Sequence, residues 1–525
     1  MTINLNHLTL TPIRQRNPLM LGYNVEMAEV SGGVFWKPYT PEQVAGTEPF
    51  PELDPNSDVM ALVSNMMSWF PPVNLYDPRL RTLAKALGKC IVRFSGSWAT
   101  KLYFDEDGHT GGKAPEGFSS VLTREQWQGA LDFAKDVGAE IMLSVANCPG
   151  THKDGTGEWI PDQAAAMWDY AAAQGMKIAY AEFMNEPNIL VGAGMGPDYG
   201  PKELGRDHDL FAKWLQENHP ETKLVGPCNS LAPRITGQAA AMMVPCEDLL
   251  EHIHIKPASF SYHSYTGVSE RGRLFGKHYE FEEAMDESYL ELTMEDMAFN
   301  AALRDKYVPG ADLWVTESAD AGSGGNTWGP TFVEIIRLLD ELGKFAQRTD
   351  GVILHNTLAA SAYGFLESET HLPRPQFWAA VLYNRLMGLT VYETGEPIRE
   401  GCHLYAHSRA DGKEGKCWMY LNNSWDKAAT VEVPDCEVYQ LTAPMPRSTE
   451  VFLNGAPIGK FVGREQELPF DQHTVLALVS PRILHVASGS TDFWADPAGE
   501  HHASVLASEI YQLWQAARLR HGTKM

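Results

Sequence analysis

Between Leu21 and Leu358 the chain alternates eight short apolar or β-branched runs with helical patterns, and few folds accept that rhythm. The runs are "LGYNVE" (Leu21 to Glu26), "CIVRFSG" (Cys90 to Gly96), "EIMLSVAN" (Glu140 to Asn147) and "IAYAEFMNEP" (Ile178 to Pro187). They continue with "KLVGPC" (Lys223 to Cys228), "SFSYHSY" (Ser259 to Tyr265), "LWVTES" (Leu313 to Ser318) and "GVILHNTL" (Gly351 to Leu358). Between them lie segments such as "TREQWQGALDFAKDVG", with Thr123 as a helix N-cap and Gly138 as a C-cap, and "TFVEIIRLLDELGKFAQ", apolar at helical spacing. Eight strands each followed by a helix predict an α/β fold, a (β/α)8 TIM barrel, whose site is built from the loops after the strands.

The remainder of the 525 residues is organised differently. Past Gly388 the pattern turns to period-two segments separated by turns such as Asn454-Gly455, which predicts a C-terminal antiparallel β-sandwich domain. The expected division is 1–20, strands joining the sandwich; 21–389, the catalytic barrel; 390–485, the sandwich; and 486–525, a loop and an amphipathic helix. On that helix Leu506, Ile510, Leu513, Trp514 and Ala517 share one face, which suits packing on the chain's own barrel or a homo-oligomer contact. The β domain is the other candidate for such a contact.

Charge and targeting signals narrow the partners. Lys+Arg 42 against Asp+Glu 67 leaves a net charge of −25, which argues against nucleic acid, anionic membrane or long sulfated polyanions as partners. The N-terminus lacks the basic and apolar regions of a signal peptide, so the expected location is cytoplasmic. Seven cysteines without C-x-x-C spacing read as buried thiols; neither a metal nor another cofactor is expected.

Strands of a parallel barrel converge at their carboxyl ends. Glu186 of "FMNEPN" closes the fourth run and Glu317 the seventh, across the mouth from one another. Retaining glycoside hydrolysis needs such a pair, one acid to protonate the leaving oxygen and one carboxylate to attack the anomeric carbon, about 5–5.5 Å apart. Asn185 is placed to bind a sugar 2-hydroxyl, and Tyr265 and His263 close the neighbouring sixth run, where a phenol could donate to Glu317. Asn147 closes the third run, and Asn24 and Glu26 the first; each reads equally as a substrate contact or an ordinary polar strand terminus. Trp98, Trp328 and Tyr363 follow strand ends, where aromatic faces can stack on sugars.

"DPRLRTLAKALGKCIVRFSGSWATKLYFD", "EFMNEPN", "SYHSYTG", "LWVTESADAGSGG" and "LPRPQFWAAVLYNRLMG" together resemble glycoside hydrolase family 79, the heparanase and β-glucuronidase group. The resemblance implies β-D-glucuronoside substrates and double displacement, with Glu186 as acid/base and Glu317 as nucleophile. It further implies that Tyr265 sits at the nucleophile and that Ser97 contacts sugar. The glycine-rich segment holding Ser323 and Gly324, with Tyr363 and Gly364 after strand eight, would receive the uronate carboxylate. Where heparanases carry a Tyr before glycines, this chain reads Asp320-Ala321-Gly322-Ser323-Gly324-Gly325, and an Asp320 facing the uronate would repel it. The expectation is a retaining exo-acting β-glycosidase on a carbohydrate substrate, foremost a β-D-glucuronidase. The alternatives are a neutral-sugar glycosidase (xyloside, galactoside or arabinoside), an endo-β-glucuronidase of heparanase type, and a non-catalytic carbohydrate-binding barrel.

Overall fold

The computed structural model describes residues 2–54, 56, 59–190, 194–230, 234–458, 485–489, 501–507 and 520–524. Met1–Pro457 form one compact unit and Ile458–Met525 a second. In the first unit, eight parallel strands close into a barrel: β1 (Leu21–Glu26), β2 (Ile91–Ser95), β3 (Glu140–Ser144), β4 (Ile178–Glu182), β5 (Lys223–Asn229), β6 (Ser259–Tyr265), β7 (Asp312–Ala319) and β8 (Ile353–His355). Each pairs with its successor, and β8 returns to β1 with Ile353 beside Leu21. All eight runs singled out in the sequence are barrel strands.

The interior is filled by Ile91, Met142, Val225, Cys228, Trp314, Val352 and Leu354. Surrounding helices obey their sequence signals. Arg124–Val137 starts with a reciprocal capping box between Thr123 and Gln126 and stops where Gly138 turns left-handed (φ 70°), burying Trp127, Leu131 and Ala134 inward. The long connection after β1 carries an antiparallel ribbon, Gly33–Trp36 against Met67–Phe70.

Antiparallel structure follows the barrel, as expected. Lys416–Leu421, His403–Arg409, Met387–Glu393 and Thr11–Gln15 form a four-stranded sheet in that order, so the N-terminal segment supplies an edge strand. Thr2–Asn4 pairs with Thr430–Glu432, in parallel. The Asn454-Gly455 turn takes positive φ at both positions (51° and 81°), the geometry of a tight hairpin.

In the second unit, residues 501–507 are helical and His485–Gly489 pairs in parallel with Arg520–Lys524. The helix expected to reach Arg520 therefore ends before it, because Arg520 is a strand residue. Its Ile510, Leu513, Trp514 and Ala517 lie outside the described residues, as do residues 459–484 of the expected sandwich. Five cysteines are buried thiols as anticipated; Cys417 is half-buried and Cys436 exposed, on the outer β strands and loops. Among the described residues no helix is long and apolar enough to cross a membrane.

Candidate active site

The mouth of the barrel is organised around Arg93, a charged residue in the middle of an apolar strand. Its guanidinium is fully buried and donates from Nη2 to Glu182 Oε1 (2.6 Å) and Asn185 Oδ1 (2.7 Å), and from Nη1 to Glu317 Oε1 (2.8 Å). Burial alone would push the guanidinium down, but Glu182 and Glu317 raise it by more. Glu182 also accepts from Ser95 (2.8 Å), Ser144 and the Cys228 thiol; burial pushes its carboxyl up, and Arg93 with these donors brings it below the usual range. One buried cation thus holds the fourth and seventh strands together, with its charge and its hydrogen bonds both satisfied.

Glu317 reaches this cluster through a local irregularity. The β6–β7 register shifts between Tyr262 and His263, so that His263 stands opposite Glu317 rather than Thr316. A bulge of this kind re-aims one side chain without unpairing the strand. Glu317 Oε2 then accepts from Tyr265 OH at 2.6 Å. Burial, reinforced by the Glu317 charge, raises the Tyr265 hydroxyl well above the usual phenol range, so it stays a donor.

Glu186 arrives differently from the expectation. Strand β4 ends at Glu182, and Glu186 lies four residues on, in the left-handed region at φ 48°. Asn188 pins that loop by accepting from Ser230 N at 2.8 Å. The strain of a non-glycine left-handed residue is characteristic of functional positions. Glu186, His263 and Glu317 each bring a ligating atom within 4.8 Å of the others. His263 Nδ1 stands 3.1 Å from Glu186 Oε1 and 3.3 Å from Glu317 Oε2, while its Nε2 faces an Arg93 N–H at 3.4 Å. Facing carboxylate oxygens, Nδ1 is a protonated ring nitrogen and donates toward them. Burial pushes the Glu186 carboxyl up, but the hydrogen bond and charge of His263, with Ser230 and Arg93, bring it below the ordinary glutamate range.

Two carboxylates and a histidine this close could in principle hold a divalent cation. Here the two Glu317 oxygens already accept from Arg93 and Tyr265, so the donor set fits a hydrogen-bonded carboxylate pair better than a metal centre.

A third carboxyl, Glu26, ends β1 beside this pair. It fits because residue 96 is glycine, at φ 89°: an added Cβ would fall 1.5 Å from Glu26 Oε2. Burial first, and the Glu317 charge second, raise the Glu26 carboxyl well above its usual range. Asn24 donates to Asn356 Oδ1 (3.0 Å), and Asn356 donates in turn to the hydroxyls of Tyr265 (2.9 Å) and Tyr363 (3.2 Å). Asn185, Tyr265, His263, Glu26, Asn24 and Tyr363 are therefore gathered about the pair.

Other candidates are placed elsewhere. Asn147 is buried in a separate network, its Oδ1 2.8 Å from His152 Nε2 and its amide donating to Tyr199 OH (3.1 Å) and Met184 Sδ (3.1 Å), which leaves it no donor for a substrate. Trp328 packs in the core against Tyr289 and Phe281, so it is no sugar platform. Asp320 turns inward and accepts from Asn326 N at 2.8 Å; it shapes its own loop instead of facing the mouth, and burial pushes its carboxyl up to about 6. Ser97 is exposed past β2, and the serine that reaches the cluster is Ser95. Trp98 is half-buried and spends its indole N–H on Ser31 (3.1 Å). Ser323 and Gly324 line the loop beside Tyr363, and Gly364 lends its carbonyl to Arg374 (3.1 Å) and Gln376 (3.1 Å).

The residues overlooked in the sequence are Arg93, Glu182, Ser95, Ser144 and Asn356. A signal existed for the first two, because a charge at an inward position of a buried strand demands a partner.

With this geometry in view, similarity to known proteins becomes informative. Heparanase-like protein 1 of Arabidopsis thaliana is 26% identical over 388 residues, covering 69% of this chain and 67% of that protein. Baicalin-beta-D-glucuronidase of Scutellaria baicalensis is 25% identical over 397 residues (70% and 72%), and mouse heparanase 23% over 417 (69% and 74%). The resemblance to glycoside hydrolase family 79 is borne out. Among solved structures, the GH51 arabinofuranosidase of Xanthomonas axonopodis pv. citri superposes with a TM-score of 0.56 at 15% identity, over 87% of this chain and 94% of that one. A 4-O-alpha-L-rhamnosyl-beta-D-glucuronidase from Fusarium oxysporum gives 0.52 at 12% identity, over 87% and 91%. At these identities the structural likeness concerns the barrel fold. A family model described as "Glucuronyl esterase, fungi" matches residues 422–514, which follow the barrel strands in the sequence.

Proposed function

We propose that this protein is a retaining, exo-acting β-glycosidase, specifically a β-D-glucuronidase. The observation that carries the reading is the convergence of Glu186 and Glu317, with ligating atoms within 4.8 Å, from opposite sides of the barrel mouth. That spacing supports double displacement and leaves too little room for the water that inversion would need between the carboxylates. Glu317, oriented by Arg93 and Tyr265, attacks the anomeric carbon. Glu186 protonates the departing oxygen and then activates the water that frees the sugar. Asn185, whose carbonyl is fixed by Arg93, presents its amide N–H to the sugar 2-hydroxyl.

Two observations favour a uronic acid. Relatives include a β-D-glucuronidase by name, and Asp320, the one carboxylate that threatened to repel a uronate, is turned into its own loop. The net charge of −25 speaks against a long sulfated chain and so for cleavage from the end of a small glucuronoside. Hydrolysis of 4-nitrophenyl β-D-glucuronide beside the xyloside, galactoside and arabinoside tests this directly. A kcat/KM highest for the glucuronide supports the reading, and a higher value for any neutral glycoside overturns it.

A further inference from the structure

Among the described residues three of the five buried guanidiniums stand against carboxylates, and a fourth, Arg16, spends its Nε, Nη1 and Nη2 groups on the carbonyls of Gly388, Asn17 and Met387. Arg93 is paired with Glu182 and Glu317, Arg337 with Glu334 and Glu341, and Arg234 with Asp296. Arg271 is 2% exposed yet forms no ion pair among the described residues. Its contacts are the ring of Tyr39, with the guanidinium carbon 3.8 Å from the centroid, and the carbonyls of Ser323 (3.4 Å) and Lys37. The adjacent Glu270 is turned away, its carboxylate accepting from Thr327 N (3.1 Å), the Thr327 hydroxyl (2.7 Å) and Tyr39 OH (3.2 Å). Burial consequently pushes the Arg271 guanidinium down, whereas the carboxylates beside Arg93 and Arg337 raise those two despite their burial. A cation held out of water with two of its five N–H groups spent on carbonyls is costly, unless a ligand completes it.

Its position says which ligand. Nη1 lies against Gly324, which is left-handed at φ 88°; an added Cβ there would fall 2.7 Å from that nitrogen. Gly325 packs on Tyr363, where an added Cβ would come within 2.9 Å of Tyr363 N. The Tyr363 ring lies 6.4 Å from that of Tyr265, which holds Glu317. Arg271, the 323–325 backbone and Tyr363 therefore line one side of the mouth, the side of Glu317.

We infer that Arg271 is a specificity-determining residue whose guanidinium pairs with a carboxylate on the substrate sugar and selects an anionic glycoside over a neutral one. A planar fork of N–H donors matches a carboxylate in a way no neutral hydroxymethyl group can reproduce. The inference rests on the retaining glucuronidase reading above and adds the group that makes the distinction.

The test compares 4-nitrophenyl β-D-glucuronide with its uncharged glucuronamide in the wild-type protein and in Arg271→Gln and Arg271→Lys, with thermal unfolding as the check on folding. The expected result is a fall in the glucuronide-to-glucuronamide ratio of kcat/KM by at least about 30-fold in Arg271→Gln, carried mainly by KM, with partial recovery in Arg271→Lys. A ratio unchanged within about threefold in the folded variants overturns the inference even if both substrates slow equally, since equal loss marks a structural role. If Arg271→Gln does not fold, the ratio in Arg271→Lys decides, because a point charge without the fork should lower it measurably. A wild-type protein that cleaves the glucuronamide better than the glucuronide overturns the glucuronidase reading and the inference together. A wild-type preference for the glucuronide that survives both substitutions overturns the role of Arg271 alone.

Discussion

The bond from Tyr265 to Glu317 makes a prediction with a direction as well as a size. Tyr265→Phe keeps the ring, its contact with Tyr363 and the buried volume, and removes one hydroxyl. That hydroxyl donates to Glu317 Oε2 at 2.6 Å and accepts from Asn356 Nδ2, which retains the Tyr363 hydroxyl at 3.2 Å. A hydrogen bond to a charged group contributes about 1.5–3 kcal/mol, or roughly 10- to 150-fold in rate when the charge changes along the reaction. The bond stabilises the free carboxylate more than its glycosyl ester. Its loss therefore raises the free enzyme relative to the intermediate and slows the step in which Glu317 departs as a carboxylate. The expected behaviour is a kcat about 10- to 150-fold lower, a KM lowered with it, and a burst of nitrophenol in stopped flow equal to the enzyme concentration. Equal losses in kcat and kcat/KM without a burst would refute the argument that Tyr265 acts on the departing charge. A change under about twofold in every parameter would refute the bond itself.

Three further outcomes separate the roles at the mouth and in its support. Glu317→Ala should abolish turnover of every glycoside, whereas Glu186→Ala should spare dinitrophenyl substrates far more than alkyl ones; equal damage across leaving groups would reverse the assignment. His263 is the chief group drawing the Glu186 carboxyl down, so His263→Gln should let Glu186 hold its proton to higher pH. The basic limb of kcat/KM for alkyl glycosides should then move upward in pH, and an unmoved or lowered limb counts against the contact. Burial raises Glu29 to about 8. A carboxyl raised on folding gives stability that is complete below its unfolded value near 4.5 and is lost as pH climbs to the folded one, at about 1.4 kcal/mol per unit. Glu29→Gln, which keeps an acceptor for the Glu26 N–H (2.7 Å), should remove that slope. Parallel Tm curves for wild type and variant between pH 5 and 8 would contradict it.

The barrel was legible because its strands are buried on both faces and read as apolar runs of the right length, eight times over. Glu186, Glu317, Asn185, His263 and Tyr265 could be named because convergence at the carboxyl ends follows from topology alone. Side-chain direction inside loops does not. Asp320 and Trp328 stand in the segment after Glu317, where no periodicity tells inward from outward, and both point into the protein. The β6–β7 register shift that aligns Glu317 with His263 leaves no local mark either, since it depends on how two strands meet. Arg93 and Glu182 are the instructive omission. Each is a lone charge in an apolar strand 89 positions from the other, and only closure of the barrel shows that they neutralise one another.

The central claim is retention through a glycosyl-enzyme on Glu317, and the stereochemistry of the first product tests it most directly. Proton NMR of a β-D-glucuronide mixed with enough enzyme to outrun mutarotation should show the β-anomer of the free sugar first, with the α-anomer appearing later by mutarotation. An α-anomer at the earliest time points would mean single displacement by water and would contradict the account of Glu186 and Glu317.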